Sequence, residues 1–160
     1  MNLSKTVTLK EATFSEKAIR TGIDNTPNEE QIENMKLTAE KIVDPVRNRF
    51  PGTVINSFFR NPAVNKAVGG SRTSDHMTGR SVDLDSRGNE LNNQIFDFIR
   101  TELEFDQCIG EYPDASGSFS WVHASRRARD NRGQVLVKLK DTPTKKNNYI
   151  PFGEWQKGMI

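Results

Sequence analysis

The segment SDHMTGRSVDLDS, residues 74–86, contains one of the two histidines in this 160-residue chain. His76 is followed at a short distance by Asp83, and Gly79 between them lets the chain turn. The β-branched and apolar residues around Asp83 predict a short strand, on which Asp83 and Asp85 point to the same face. Histidine nitrogen and carboxylate oxygen are ligands that zinc prefers. The segment therefore indicates a metal site, although spacing alone does not say which aspartate binds.

The second histidine, His123, lies far downstream in the segment SWVHAS. That segment also predicts a strand, so His123 can complete a three-ligand set from a neighbouring strand. A structural alternative stays open on this pattern alone. A histidine beside tryptophan and valine is typical of a packed core residue, and DLDS is typical of a strand end with a turn-forming aspartate. Both histidines fall in the only two segments that suggest ligands, which favours the metal site.

Two stretches before residue 74 predict helices. ATFSEKAIRTGI, residues 12–23, predicts one short helix, and residues 26–50 predict a longer one with apolar side chains at helical spacing. Thr26 is the expected N-cap of the longer helix, and Glu29 completes a capping box with it. Pro45 is expected to kink that helix or to restart it.

Five segments, including those around Asp83 and His123, predict strands by their β-branched and aromatic content. They are TVINSFFR (53–60), RSVDLDS (80–86), FDQCIGEY (105–112), FSWVHAS (119–125) and GQVLVKL (133–139). The loop PDASGS between the third and fourth predicts an antiparallel hairpin. NPAVNKAVGGS predicts a short helical turn, and NELNNQIFDFIRTEL an amphipathic helix. The predicted fold is α+β, with helices packed on one face of a mostly antiparallel sheet.

The length of the chain predicts one domain, residues 1–140, followed by a C-terminal extension, residues 141–160. The extension is polar but contains Tyr149, Phe152 and Trp155. These aromatic side chains are expected to dock the extension on the domain or on a partner.

The composition excludes several classes of protein. The 23 basic and 21 acidic residues give a net charge of +2, too small an excess to indicate a nucleic-acid partner. The single cysteine, Cys108, excludes an internal disulfide. No window approaches the about 20 apolar residues of a membrane span, and the N-terminus lacks the apolar segment of a signal peptide. We therefore expect a monomer that is made in the cytoplasm.

The motifs around both histidines resemble those of a known family. SDHMTGRSVDLD is similar to the motif Ser-x-His-x-x-Gly-x-Ala-x-Asp of zinc D-Ala-D-Ala carboxypeptidases and murein endopeptidases, and WVHAS is similar to that family's second histidine motif. The resemblance is to the compact phage and bacterial branch and covers roughly residues 13–139. It implies a hedgehog/D-Ala-D-Ala peptidase-like zinc peptidase fold, with one Zn²⁺ per chain held by His76, Asp83 and His123. Asp85 then has a supporting role, and Ser81 replaces the alanine of the motif.

The resemblance implies a catalytic base that differs from the commonest one. Much of the family has a glutamate three residues before the second histidine, where this chain has Ser120, which cannot act as a base. The compact branch has an acidic residue at the end of the preceding strand, and Glu111 corresponds to it. Hairpin pairing is expected to bring Glu111 beside His123, across from it. The alternative is that Glu111 is a solvated carboxylate at a strand end.

Arg60 and Ser74 complete the predicted site. In the family that the chain resembles, Arg60 corresponds to an arginine that faces the substrate and stabilises fixed or developing negative charge. Ser74 corresponds to a serine that hydrogen-bonds the substrate. The structural alternatives are a surface ion pair for Arg60 and a turn-forming role for Ser74.

These residues together imply a zinc metallopeptidase that hydrolyses amide bonds in peptidoglycan stem peptides. Both a D-Ala-D-Ala carboxypeptidase and a murein endopeptidase fit the resemblance. A bacteriophage enzyme of the endolysin type, which reaches the cell wall through a holin or in a virion, fits the N-terminal sequence better than a secreted enzyme. The alternative is a non-catalytic zinc-binding relative that serves as a virion structural or cell-wall-binding protein. Ser120, in place of the usual glutamate, favours that alternative.

Overall fold

A computed structural model describes residues 1–160, apart from the side chain of residue 89. Within this described chain the strands form a six-stranded sheet in the order β1-β2-β4-β3-β5-β6. The strands are β1 Val54–Ser57, β2 Ser81–Asp85, β3 Gln107–Glu111, β4 Trp121–Ser125, β5 Gln134–Lys138 and β6 Tyr149–Pro151. Neighbouring strands pair antiparallel, except that β3 and β5 run parallel. The α+β prediction and the β3–β4 hairpin are confirmed.

The helices are short, apart from one long helical stretch and one amphipathic helix. They are α1 Leu9–Thr13, α2 Glu16–Thr21, α3 Glu29–Thr38, α4 Asp44–Arg49, α5 Pro62–Ala67 and α6 Asn89–Glu102. The prediction of a single helix over residues 12–23 was wrong. Ser15 adopts an extended conformation there, and its side chain accepts a hydrogen bond from Ala18 N, so α1 ends and α2 begins anew.

The start of α3 also differs from the prediction. Asn28 is the N-cap, and its side chain accepts from Gln31 N while the Gln31 side chain accepts from Asn28 N. Thr26 does not cap the helix, because its hydroxyl donates to Asp24 instead. The capping box therefore involves Asn28 and Gln31, where Thr26 and Glu29 were expected.

Pro45 lies just after a π-helical turn, Ala39–Val43, that connects α3 to α4. The backbone keeps right-handed helical angles at Val43 and Asp44, and Asp44 N donates to Ala39 O, five residues earlier. The helix therefore shifts its hydrogen-bond register before Pro45, which lacks an amide hydrogen, and does not end and start again.

The two faces of the sheet have different surroundings. One face carries buried apolar side chains, such as Val82 and Leu84 of β2, and packs with Ile95, Phe96 and Ile99 of α6. Side chains alternate along a strand, so the residues between them point to the opposite face. That opposite face carries the polar residues of the candidate site.

The C-terminal extension docks on the domain. Its strand β6 pairs with β5, and Phe152 lies edge-on to Phe96 with ring centroids 5.0 Å apart. Trp155 packs against Phe119 at 5.3 Å. None of the helices in the described chain is both long enough and apolar enough to cross a membrane.

Candidate metal centre

Strand pairing brings the first two candidate ligands together. Asp83 in β2 lies directly opposite His123 in β4. Residues paired in this way have neighbouring side chains on one face of the sheet. His123 Nδ1 is 3.0 Å from Asp83 Oδ1. The sheet itself therefore fixes the distance between these two side chains.

The third candidate ligand comes from a 3₁₀ turn, Asp75–Thr78, that precedes β2. The side chain of Ser74 accepts a hydrogen bond from His76 N at the start of this turn. Gly79 ends the turn with a φ of 80°, a left-handed conformation that glycine adopts without strain. The Arg60 amide donates to His76 O, which attaches the turn to the end of the segment that follows β1.

The orientation of the His76 ring is set by one hydrogen bond. His76 Nδ1 lies 2.6 Å from the carbonyl oxygen of Phe58, which can only accept, so Nδ1 carries the proton. The lone pair is then on Nε2, which is buried, lies 3.2 Å from Asp83 Oδ2 and makes no hydrogen bond to any described residue. A buried ring nitrogen with a free lone pair is suited to binding a metal ion.

The three side chains fit a transition metal. One ligand atom from each of His76, Asp83 and His123 lies within 4.8 Å of the others. In tetrahedral zinc sites with bonds near 2.0 Å, ligand atoms are about 3.3 Å apart. His123 Nδ1 is 3.0 Å from Asp83 Oδ1 and His76 Nε2 is 3.2 Å from Asp83 Oδ2, so each imidazole lies close to that distance from one of the two carboxylate oxygens. Two nitrogens and one carboxylate leave a fourth position open for a reacting group.

The protonation states of Asp83 and His76 suit cation binding. Burial raises the pKa of Asp83, but the interactions of Asp83 with His76 and His123 outweigh it, so the pKa of Asp83 lies well below its usual value. Burial lowers the pKa of His76, and Asp83 offsets this only in part. For His123, the hydrogen bond and charge of Asp83 outweigh burial and raise the pKa. Asp83 is therefore an anion at neutral pH, ready to bind a cation.

Asp85 is not one of the three grouped ligands. Its Oδ1 accepts from Asn92 Nδ2 at 3.0 Å and from Arg87 N at 3.1 Å. Asn92 is fully buried and also donates to the carbonyl groups of Phe119 and Ser120. Asp85 and Asn92 thus tie the end of β2 to the loop that enters β4. Asn92 has no distinctive sequence signal, since it lies in an ordinary amphipathic helix.

The candidate ligands line a cleft of about 580 Å³. Arg60 lies on one side, with its Nη2 3.5 Å from Ser74 Oγ. Burial lowers the pKa of Arg60, and the charges of Asp83 and Glu111 offset this in part. The Arg60 Nε atom is buried and has no hydrogen-bond partner among the described residues. The surface ion pair considered for Arg60 is therefore not what the structure contains.

Glu111 lies in the same cleft, but in a different register from the one expected. Ile109 is directly opposite His123, and Glu111 is directly opposite Trp121, so Glu111 is diagonal to His123. Trp121 Nε1 donates a hydrogen bond to Glu111 Oε2. Burial and the charge of Asp83 raise the pKa of Glu111 to about 7. Glu111 is therefore a half-buried carboxylate at the end of β3 with a hydrogen-bond partner, and its catalytic role stays a prediction.

Ser120 is outside the lining of the cleft. Its hydroxyl donates to the carbonyl oxygen of Tyr112 at 2.8 Å. Ser120 therefore occupies a structural position at the start of β4, on the loop side of Trp121.

The far wall of the cleft includes residues that the sequence did not suggest. Lys138 is next to Glu111 in the parallel β3–β5 register, and its Nζ is 2.8 Å from Asp141 Oδ1. The same Nζ lies 4.8 Å from the ring centroid of Tyr149 in β6. The parallel pairing of β3 with β5 carries no short-range sequence signal, so these residues had no visible connection to the site.

Two imidazoles and a carboxylate around one point, beside a second carboxylate with a raised pKa, are typical of metal-dependent hydrolases. The comparison with protein families agrees with this class. A family model described as Peptidase M15 matches residues 5–125. The chain belongs to the Peptidase M15 family, which confirms the resemblance found in its motifs. No curated protein matches the chain.

The matched range contains His76, Asp83, His123, Glu111 and Arg60, and it ends at the last residue of β4. Strands β5 and β6, which form the far wall of the cleft, lie beyond it. The individual roles of the site residues stay predictions.

Proposed function

We propose that this protein is a zinc-dependent peptidase that hydrolyses amide bonds in the stem peptides of peptidoglycan. One observation carries the proposal: His76 Nε2, Asp83 and His123 Nδ1 converge in an open cleft that also contains Glu111. Membership of a peptidase family supports amide hydrolysis. The motif resemblance to carboxypeptidases and endopeptidases of the cell wall supports peptidoglycan as the substrate.

The donor set favours zinc over other common metal ions. Mg²⁺ and Ca²⁺ take oxygen ligands, whereas imidazole nitrogen suits zinc and its neighbours in the first transition series. His76 and His123 supply two nitrogens, and Asp83 supplies one oxygen. A bound zinc ion supplies Lewis acidity that activates water and polarises a carbonyl group.

Glu111 is the group in the cleft that can act as the general base. A general base works best when its pKa is close to the operating pH, and the pKa of Glu111 is raised to about 7. We infer that Glu111 takes a proton from the attacking water and delivers it to the nitrogen of the leaving amine. The hydrogen bond from Trp121 Nε1 holds one carboxylate oxygen, Oε2, and leaves Oε1 to accept that proton.

Arg60 is suited to binding negative charge on the substrate. Its side chain is partly buried in the wall of the cleft, and the protein satisfies its donors incompletely. A substrate carboxylate or a developing oxyanion would satisfy them. The Ser74 hydroxyl accepts from His76 N, as a turn-forming residue does, and from Arg60. Its position in the lining of the cleft supports the substrate-binding role as well.

The finer assignments belong to the same proposal. The activity is that of a D-Ala-D-Ala carboxypeptidase or a murein endopeptidase, and the site of action is the cell wall, with delivery by a phage. The competing function is a non-catalytic zinc-binding relative in a virion. The position of Glu111 in the same cleft as the three candidate ligands, together with its raised pKa, favours the enzyme.

The deciding experiment measures hydrolysis of purified sacculi. Four samples are compared: the unmodified protein, Glu111→Gln, the chelator-treated protein, and Glu90→Gln as a control with an exposed glutamate outside the cleft. The released amines and free D-alanine are measured near pH 7. Free D-alanine alone identifies a carboxypeptidase, and new internal amino groups identify an endopeptidase.

We expect turnover in the unmodified protein and in Glu90→Gln. Loss of general-base catalysis is expected to slow Glu111→Gln by about 10²- to 10⁴-fold. Adding zinc is expected to restore the activity of the chelator-treated protein. Protein that binds zinc but releases nothing at any pH near neutrality would instead be the binding protein. A chain that folds stably and binds less than one zinc ion would contradict both functions.

A further inference from the structure

The turn that carries His76 is held by a row of side chains from α3. Three consecutive carbonyl oxygens at the end of the turn each accept one hydrogen bond from this helix. The bonds are Gln31 Nε2 to Met77 O at 3.2 Å, Asn34 Nδ2 to Thr78 O at 2.9 Å, and Thr38 Oγ1 to Gly79 O at 3.1 Å. We refer to Gln31, Asn34 and Thr38 as the carbonyl clamp.

The spacing of the carbonyl clamp follows from helix geometry. Residues three or four positions apart lie on the same face of a helix, so Gln31, Asn34 and Thr38 form one stripe along α3. Gly79 lies directly against this stripe, because a Cβ atom there would be 2.7 Å from Gln31 O and 2.8 Å from Met35 Cγ. The turn therefore packs on the backbone of α3 with no room for a side chain.

The turn needs such support because it is short. A 3₁₀ segment of four residues has few internal hydrogen bonds and little intrinsic stability. Asp83 and His123 are fixed by adjacent strands, whereas His76 is on this turn. Its position relative to the other two ligands therefore depends on contacts from outside the turn.

We propose that Gln31, Asn34 and Thr38 are positioning residues of the metal site. They hold the His76 turn in its ligand-binding geometry before the metal ion binds, and so they increase the affinity of the site. This inference rests on the proposed metal site. None of the three residues lines the cleft, so they act on the metal only through His76.

Variants can remove the donors with little other change. Gln31→Glu keeps a side-chain oxygen for Asn28 N in the capping box but loses the donor to Met77 O. Its added negative charge would favour a cation, so charge cannot explain a loss of affinity. Thr38→Val removes the hydroxyl and keeps the shape, whereas Thr38→Ser keeps the hydroxyl, which is also 3.0 Å from Asn34 O. Glu33→Gln on the exposed side of α3 is the control.

The experiment measures zinc affinity by competition with a chelating indicator, and visible absorption of the Co²⁺-loaded protein. We expect Gln31→Glu, Asn34→Ala and Thr38→Val each to weaken zinc binding by about tenfold, as is typical when partners that orient a ligand are removed. The zinc affinities of Thr38→Ser and Glu33→Gln should stay within about twofold of that of the unmodified protein. The Co²⁺ absorption of the clamp variants should broaden as the ligand geometry loosens.

Urea unfolding of the metal-free variants separates this effect from general destabilisation. Variants that stay folded at the assay temperature and still lose affinity support the carbonyl clamp. Clamp variants that bind zinc as tightly as Glu33→Gln would overturn it and leave the proposed function intact. A zinc affinity of the clamp variants that falls only in proportion to their folded fraction would also overturn the carbonyl clamp. Absence of zinc binding in the unmodified protein would overturn both.

Discussion

Replacing Glu111 by glutamine should make the metal-free protein more stable above pH 7 while it removes the proposed base. Burial and the charge of Asp83 raise the pKa of Glu111 to about 7, against an ordinary value of about 4.3 for glutamate. The folded state therefore holds this proton more tightly than the unfolded state. Such a group contributes stability that is complete below the unfolded pKa and is lost as the pH rises through the folded pKa.

The size of the effect follows from the same pKa. Between pH 5 and pH 8 the unmodified protein should lose about 2 to 3 kcal/mol through this carboxyl group alone. Glutamine cannot ionise and can still accept the hydrogen bond from Trp121 Nε1. Asp83 and His123 also act on Glu111 and are present in both proteins, so the difference between the two proteins reports mainly the Glu111 carboxyl group.

The assay is urea unfolding at several pH values, with a chelator present throughout. The free energy of unfolding of Glu111→Gln minus that of the unmodified protein should rise by about 2 to 3 kcal/mol from pH 5 to pH 8. The same difference for Glu90→Gln should stay flat, since Glu90 is exposed. A flat difference for Glu111→Gln would refute the argument that burial and Asp83 strain this carboxylate.

Three further predictions test the site and its surroundings. His76→Ala should abolish stoichiometric zinc binding. Zinc at 100 times the Kd of the unmodified protein stabilises that protein by about 2.7 kcal/mol, and the same concentration should not raise the Tm of the variant. Gly79→Ala should lower the free energy of unfolding in urea by about 2 to 4 kcal/mol, because a left-handed φ and a clash with α3 combine. Gly133→Ala has open space around the new side chain and should lower it by about 1 kcal/mol. Cys108 should react with thiol reagents only after unfolding, because it is fully buried and burial raises its pKa.

The parts of the fold that the sequence predicts are those set by short-range patterns. β-Branched and aromatic content located the central strands, and the loop at residues 113–118 indicated the hairpin of β3 and β4. The N-cap of α3 was missed because Thr26, Asn28, Glu29 and Gln31 offer two overlapping capping boxes. Their choice depends on where the preceding chain runs, and Thr26 is already bonded to Asp24.

In the candidate site, too, short-range patterns were predictable and long-range pairing was not. The motifs were enough to select His76, Asp83 and His123, which the structure brings together. The register of Glu111 was not predictable, since a hairpin loop of several residues allows more than one pairing of β3 with β4. The wall formed by Lys138 and Tyr149 depends on the parallel pairing of β3 with β5, which no local pattern encodes.

The ligands of the site are held with unequal rigidity, and this has a chemical consequence. Asp83 and His123 are paired residues of adjacent strands, so moving one relative to the other would break the sheet. His76 is on a four-residue turn that is anchored by hydrogen bonds to Phe58 O and from Arg60 N and α3. A site is only as well organised as its least constrained ligand, so the cost of ordering His76 should set the zinc affinity. Substitutions in β2 or β4 outside the ligands should then change stability more than affinity, and substitutions around the turn should do the reverse.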